Sequence, residues 1–144
     1  GVRTEHLHSP ETNAARLTVY DLAAVESTPA SGSARIDAVI LCPCSMGTLA
    51  RVAHGFSTNL LERSADVALK EGRRLVVVPR ESPLSAIHLE NMLKLVRAGA
   101  VVLPAMPGFY HRPSSVEELS DFVVARILDR IGVDHEMVQR WKTP

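Results

Sequence analysis

A few side chains in this chain have types and spacing suited to chemistry. Ser45-Met46-Gly47-Thr48 is a small, hydroxylated turn between an apolar run and a helical pattern. Free backbone N–H groups at a helix start, the helix dipole and two hydroxyls suit an anion such as a phosphate. The same residues would also serve as an ordinary helix cap. Arg80 and Glu81 directly follow Val76, Val77 and Val78. A pair of opposite charges at a strand's carboxyl edge is either a solvated turn or a site in which the carboxylate handles protons. Arg63 and Lys70 fall on roughly one helix face. They fit a shared anion, or an exposed basic stripe paired with Glu62, Asp66 and Glu71. Arg126 interrupts the apolar series Phe122, Val123, Val124, Ala125, Ile127 and Leu128, so burial would demand a partner for its charge, and a bound phosphate is one. Tyr110, beside Gly108, could donate its hydroxyl to that phosphate, stack on a flat ring, or anchor its loop. Trp141 could close a pocket or pack a tail.

The elements that must position these residues follow a rhythm. "RIDAVILCP" reads as a buried strand stopped by proline, covered on both faces. From Thr48 to Lys70 the apolar residues recur at helical spacing around a break at Gly55 to Thr58, giving two helices. "RRLVVVP", residues 73–79, is a second buried strand. Residues 82–99 form a helix with a Ser cap, an early Pro and a closing Gly. "AVVLPA", residues 100–105, is a third strand. After the turn-rich "MPGFYHRP", a capping box of Ser114 and Glu117 opens a helix that ends on Gly132. Strands alternating with helices predict an α/β fold, an open parallel sheet of flavodoxin-like or Rossmann type with helices on both faces, in one domain over 1–144. In such sheets ligands bind outside the carboxyl ends of the strands, where the Ser45–Thr48 turn, Arg80 with Glu81, and the turn carrying Tyr110 fall.

Composition removes other classes. Sixteen basic and sixteen acidic residues in 144 give a formal charge of zero, which predicts neither nucleic-acid nor membrane binding. Cys42 and Cys44 are too close for an unstrained disulfide, and no His or Cys pair completes a zinc spacing, so no metal is expected. Small, buried packing residues account for them. No signal-peptide pattern opens the chain and no apolar run is long enough to span a bilayer, which predicts a soluble protein of the reducing cytoplasm.

Several segments together resemble the UbiX flavin prenyltransferase family: "ASGS" at 30–33, "CPCSMGTLA" at 42–50, the run from Leu60 to Pro113 containing "PRESP" and "FYHRP", and "DFVVARILDR" at 121–130. The likeness spans residues 28–141, with 1–27 a variable lead-in. It implies binding of FMN and transfer of a dimethylallyl group from dimethylallyl phosphate to the N5 and C6 atoms of reduced FMN, without a metal. The product would serve a UbiD-type decarboxylase in quinone synthesis or aromatic acid breakdown. The resemblance puts FMN contacts on Ser45, Met46, Gly47, Thr48 and Arg80, and prenyl-phosphate contacts on Tyr110 and Arg126. Arg63 and Lys70 become further cations at the phosphate, Glu81 the proton-handling carboxylate, and Trp141 a pocket residue. It also implies a homo-oligomer, dodecameric in the family, with sites at subunit contacts.

The family pattern opens with a strand, a Gly-Ala-Ser-Gly-Ala turn and a helix that have no counterpart in "GVRTEHLHSPETNAARLTVY". The expectation is therefore of a chain that begins inside the family pattern, exposes apolar edge surface and is poorly active alone. Two other classes remain: an FMN-dependent cysteine-decarboxylase-type flavoprotein, and a non-catalytic flavin-binding fragment.

Overall fold

The computed structural model describes residues 17–138. Its sheet holds three parallel strands in the order β1 (Ala38–Cys44), β2 (Arg74–Pro79) and β3 (Val101–Val102). Two helices, α1 (Met46–Ala53) and α2 (Leu60–Lys70), join β1 to β2; α3 (Ala86–Arg97) joins β2 to β3, and α4 (Val116–Ile131) follows. This is the open α/β arrangement expected from the alternating pattern.

β2 is the centre of the structure. Leu75 and Val77 pack into a cluster with Leu41, Leu49, Val52, Ala65, Ala68 and Leu95, drawn from β1, α1, α2 and α3. Val76 and Val78 point the other way, onto Ile127, Val123 and Ile131 of α4. Alternation along one strand thus serves two cores, and the unbroken valine run satisfies both. β1 departs from the expectation of cover on both faces. Ile40 keeps 39% of its surface exposed and Cys42 is exposed, because α4 packs on β2 and no described element covers that side of β1.

The β1–β2 ladder runs from Ala38 opposite Arg74 to Leu41 opposite Val77, then resumes at Cys44 opposite Pro79. The irregularity falls at Pro43, which has no N–H to give. β3 is shorter than the 100–105 strand expected. Its pairing continues past the formal end, through Leu103 N–H to Val77 O (2.8 Å) and Ala105 N–H to Pro79 O (2.9 Å), and Pro104 between them cannot donate.

Helix starts are capped by short polar side chains. Asn59 accepts from Glu62 N–H at 2.9 Å. Ser85 accepts from His88 N–H, and His88 Nδ1 in turn accepts from Ser85 N–H. The helix expected from residue 82 therefore begins at Ala86, with Pro83 in the preceding loop. The expected box of Ser114 and Glu117 is shifted by one residue: Ser115 caps α4, accepting from Glu118 N–H, while the Glu118 carboxylate accepts from Ser114 N–H and Oγ. The far end of α4 is closed by Arg74, which donates to Ile131 O. Gly132 adopts φ 77° there, and a Cβ on it would stand 2.7 Å from Arg74 Nη1, so glycine answers both the left-handed turn and the close approach. The "ASGS" segment is tied down by Arg73, which donates to the carbonyls of Ser31, Gly32 and Ala34.

Leu49 sits fully buried in the larger cluster. Leu49→Ala should lower unfolding free energy by ~2–5 kcal/mol in urea titrations; a loss below ~1 kcal/mol would mean that this core collapses around the cavity.

Candidate active site at the carboxyl edge of the sheet

The strand ends converge. Cys44 pairs with Pro79, and Pro79 accepts from Ala105, so Ser45, Arg80 and Met106 leave three neighbouring strands at one edge. With strands spaced ~4.8 Å apart, these three positions span roughly 10 Å.

At the first of them, Ser45 caps α1. Its Oγ accepts from Thr48 N–H at 3.2 Å and donates to Thr48 Oγ1 at 3.0 Å. The backbone N–H groups of Met46 and Gly47 meet no acceptor among the described residues. Two free N–H groups and a hydroxyl beside a helix dipole fit an oxygen-rich anion. Behind the turn, burial pushes the Cys44 thiol up to about 11, against the opposing pull of Arg51. Cys44 is thus a protonated packing group at neutral pH, whereas Cys42, which the sequence places beside it in the core, is exposed.

At the end of β2, Arg80 is exposed and makes no ion pair among the described residues. Glu81 is also exposed, and its Oε1 accepts from Ser82 N–H at 3.2 Å. Cation and carboxylate are both available to a ligand.

After β3 the chain folds back on α4 through aromatic contacts. Tyr110 meets Phe122 edge-on at 6.0 Å, and His111 stacks on Phe122 at 5.6 Å. Gly108 permits this, since a Cβ there would lie 2.6 Å from the Tyr110 ring. Phe122 and Arg126, one helical turn apart, line an open groove of about 350 Å³ with Leu103, Met106 and Arg130. Tyr110 and Arg126 therefore flank one phenylalanine. Arg126 is not buried as its apolar surroundings predict. Its side chain is 57% exposed and lies 4.0 Å from Asp129, because Arg126 falls with Phe122 and Arg130 on the flank of α4 that faces the open groove beside β3.

Neither Arg63 nor Lys70 has a hydrogen bond or ion pair to these groups among the described residues. They share the outer face of α2, but Lys70 ends the helix only four residues before β2 begins, at the amino-terminal edge of the sheet. Along β2 that is ~20 Å from Arg80. Lys70 pairs with Glu71 at 3.3 Å. Trp141 lies outside the described residues.

Sequence reasoning missed one cluster. Glu62, read as a surface partner for Arg63 and Lys70, is 0% exposed. Its Oε1 accepts from Arg51 Nε at 2.5 Å, and its Oε2 from Thr58 N–H at 3.0 Å and Thr58 Oγ1 at 2.6 Å. Burial alone would push the carboxyl up; the hydrogen bonds from Thr58 and Arg51 and the guanidinium charge outweigh it and hold the group at about 2. The one sequence signal was Asn59, a cap that fixes Glu62 at the third helical position.

Comparison with known proteins identifies the family and the fold. The Flavoprotein family model matches residues 10–128. A flavin prenyltransferase UbiX of Pseudomonas aeruginosa is 65% identical over 113 residues, covering 78% of this chain and 54% of the relative. A dodecameric FMN-dependent UbiX-like decarboxylase from Escherichia coli O157:H7 superposes with TM-score 0.82 at 50% identity, covering 86% of this chain and 67% of that one. The chain belongs to the UbiX-type flavoprotein family. Its fold is that of AnUbiX in complex with FMN and dimethylallyl pyrophosphate, matched with TM-score 0.84 at 48% identity over 87% of this chain and 66% of that one. It spans about half the length of the Pseudomonas protein.

The Glu62 cluster gives a pH test. A folded value of about 2 against an ordinary 4.5 means that ionised Glu62 stabilises the fold fully above the ordinary value, and that this contribution is lost as pH falls toward the folded one. In urea unfolding at several pH values, the protein should lose stability between pH ~4.5 and ~2 more steeply than Glu62→Gln. Parallel profiles would remove Glu62 as the source.

Proposed function

We propose that this chain carries part of a flavin prenyltransferase site that joins a dimethylallyl group to reduced FMN. The observation that supports this most is the shared edge: a turn with two free N–H groups and an exposed cation beside a carboxylate follow adjacent parallel strands, and a groove lined by Arg126 lies beside the third strand. The bound FMN would supply the flavin ring that accepts the prenyl group. Ser45, the Met46 and Gly47 N–H groups and Thr48 would hold it, with Arg80 beside it. The family's complex with FMN and dimethylallyl pyrophosphate supports both ligand classes.

In this reading Tyr110 and Arg126 bind the prenyl phosphate. Cleavage of an allylic carbon–oxygen bond builds charge on the departing phosphate, and fixed Arg and Tyr donors stabilise that charge with no metal. Among the described residues there is no His, Cys, Asp and Glu cluster of metal-binding form. The Tyr110, His111 and Phe122 rings pack on one another, and together they would limit water at the allylic carbon once a ligand covers them. Glu81, free but for one backbone bond, accepts or returns a proton. Arg63 and Lys70 join the reading only through assembly. They lie on the outer face of α2, where they could reach the site of a neighbouring copy, and the dodecameric relative supports that arrangement. A UbiD-type decarboxylase is the proposed recipient of the product. No helix among the described residues is long and apolar enough to cross a membrane, in keeping with a cytoplasmic enzyme.

The test is FMN titration by fluorescence quenching, followed by anaerobic addition of dimethylallyl phosphate to reduced FMN with the product read by mass. Glu81→Gln should keep FMN affinity within about threefold and lose turnover by ~10²-fold or more. Retained turnover would assign Glu81 to the turn alone, and binding without turnover in the unaltered chain would favour a flavin-binding module.

A further inference from the structure

We propose that Arg51 is a positioning residue for the Ser45–Thr48 turn, fixed by buried Glu62 so that the Thr48 hydroxyl proton faces outward to an acceptor atom on the flavin nucleotide. The inference rests on the FMN reading above and concerns how the turn is prepared for that ligand.

A threonine hydroxyl has one proton and two lone pairs. Thr48 Oγ1 accepts from Ser45 Oγ at 3.0 Å and from Arg51 Nη2 at 3.3 Å. Both lone pairs are then occupied, and the proton meets no acceptor among the described residues. The group is left as a donor only. Without Arg51 one lone pair is released, and the hydroxyl could turn to present it to the ligand in place of the proton.

Arg51 needs a reason to stay. It is 45% exposed and lies in the last turn of a short helix, where a long side chain would ordinarily sample many rotamers. Glu62 supplies the reason. One of its oxygens takes the Arg51 Nε–H and the other is held by two Thr58 donors, so the carboxylate cannot rotate. The planar guanidinium is thereby fixed, with Nε committed to Glu62 and Nη2 presented to Thr48. Lysine, a point charge on a flexible stem, cannot bridge the two in one plane. The same guanidinium flanks the free N–H groups, since a Cβ on Gly47 would lie 3.5 Å from Nη1.

A double-mutant cycle in the FMN titration tests this. Thr48→Val and Arg51→Met should each weaken FMN binding by about tenfold. The double variant should be no weaker than about twice the poorer single, because Arg51 acts through Thr48. Arg51→Lys should fail to restore affinity. Unchanged affinity in Arg51→Met would overturn the proposal, as would an additive loss of about a hundredfold, which would mean that Arg51 meets the ligand by itself. Leu95→Ala, a core change on α3, controls for lost stability: if it weakens FMN as much as Arg51→Met does, the effect is one of folding and the proposal falls. Failure of the FMN reading shows separately, as no saturable quenching in the unaltered chain. Inorganic phosphate is then the probe, followed by the NMR shifts of the Thr48 amide and Arg51 Nε–H. A response lost in Arg51→Met sustains the positioning role, and no response in the unaltered chain overturns it.

Discussion

The parallel register of β1 and β2 is the constraint on which the site depends. Parallel strands cannot be joined by a tight turn, so each must hand the chain to a helix on the way back. Every strand then ends at the same edge and every returning helix begins there. Because Cys44 stands opposite Pro79 and Pro79 accepts from Ala105, the three exits are adjacent and level. A slip of one residue would invert every side chain of β2 and exchange its two cores. The valines packed on both faces hold that register, so the buried centre of the sheet sets the spacing of Ser45, Arg80 and Met106.

A second link joins this edge to the helical layer. A fully buried carboxylate is costly unless its oxygens are engaged, and Glu62 has three donors from two directions. One comes from α1 and two from the loop before α2. The arrangement ties α1, the helix that Ser45 caps, to α2. Its stabilising value is limited by the exposure of Arg51, but its geometric value is not, since a hydrogen bond to a fixed carboxylate defines a plane.

Much of this was legible in the sequence, for identifiable reasons. The valine run, the Ser45 turn, the break at Gly55 to Thr58 and the glycine stops are local signals, and they placed β1, β2 and all four helices close to their observed bounds. What failed depends on neighbours. "SSVEEL" offers the same three-residue cap spacing in two registers, and only the packing of α4 selects Ser115. Arg126 looked like an intruder in a buried helix because the pattern carries no information about how wide a sheet that helix covers. Ile40 looked buried for the same reason. Glu62 sits among charged residues, and its inward direction emerges only once α1 crosses α2. At the candidate site, residue types were readable and grouping was not: Arg63 and Lys70 share a helix face, yet the topology carries Lys70 to the far end of the sheet.

A formal charge of zero also conceals how the cations are divided. Arg73 and Arg74 spend their guanidinium groups on backbone carbonyls, at the Ser31 to Ala34 loop and the end of α4. There they complement the partial negative charge of chain segments that have run out of N–H donors. Lys70 faces Glu71, and Arg51 faces Glu62. Arg80 has no such partner among the described residues, and Arg126 has only a distant carboxylate in Asp129. Arg80 thus stays open at the edge where β2 ends, while Arg126 lies beside β3 in the groove with Leu103 and Arg130. A protein with no net charge can therefore still leave single cations open to an anionic ligand, because ion pairs and backbone carbonyls occupy some of its cations and not others.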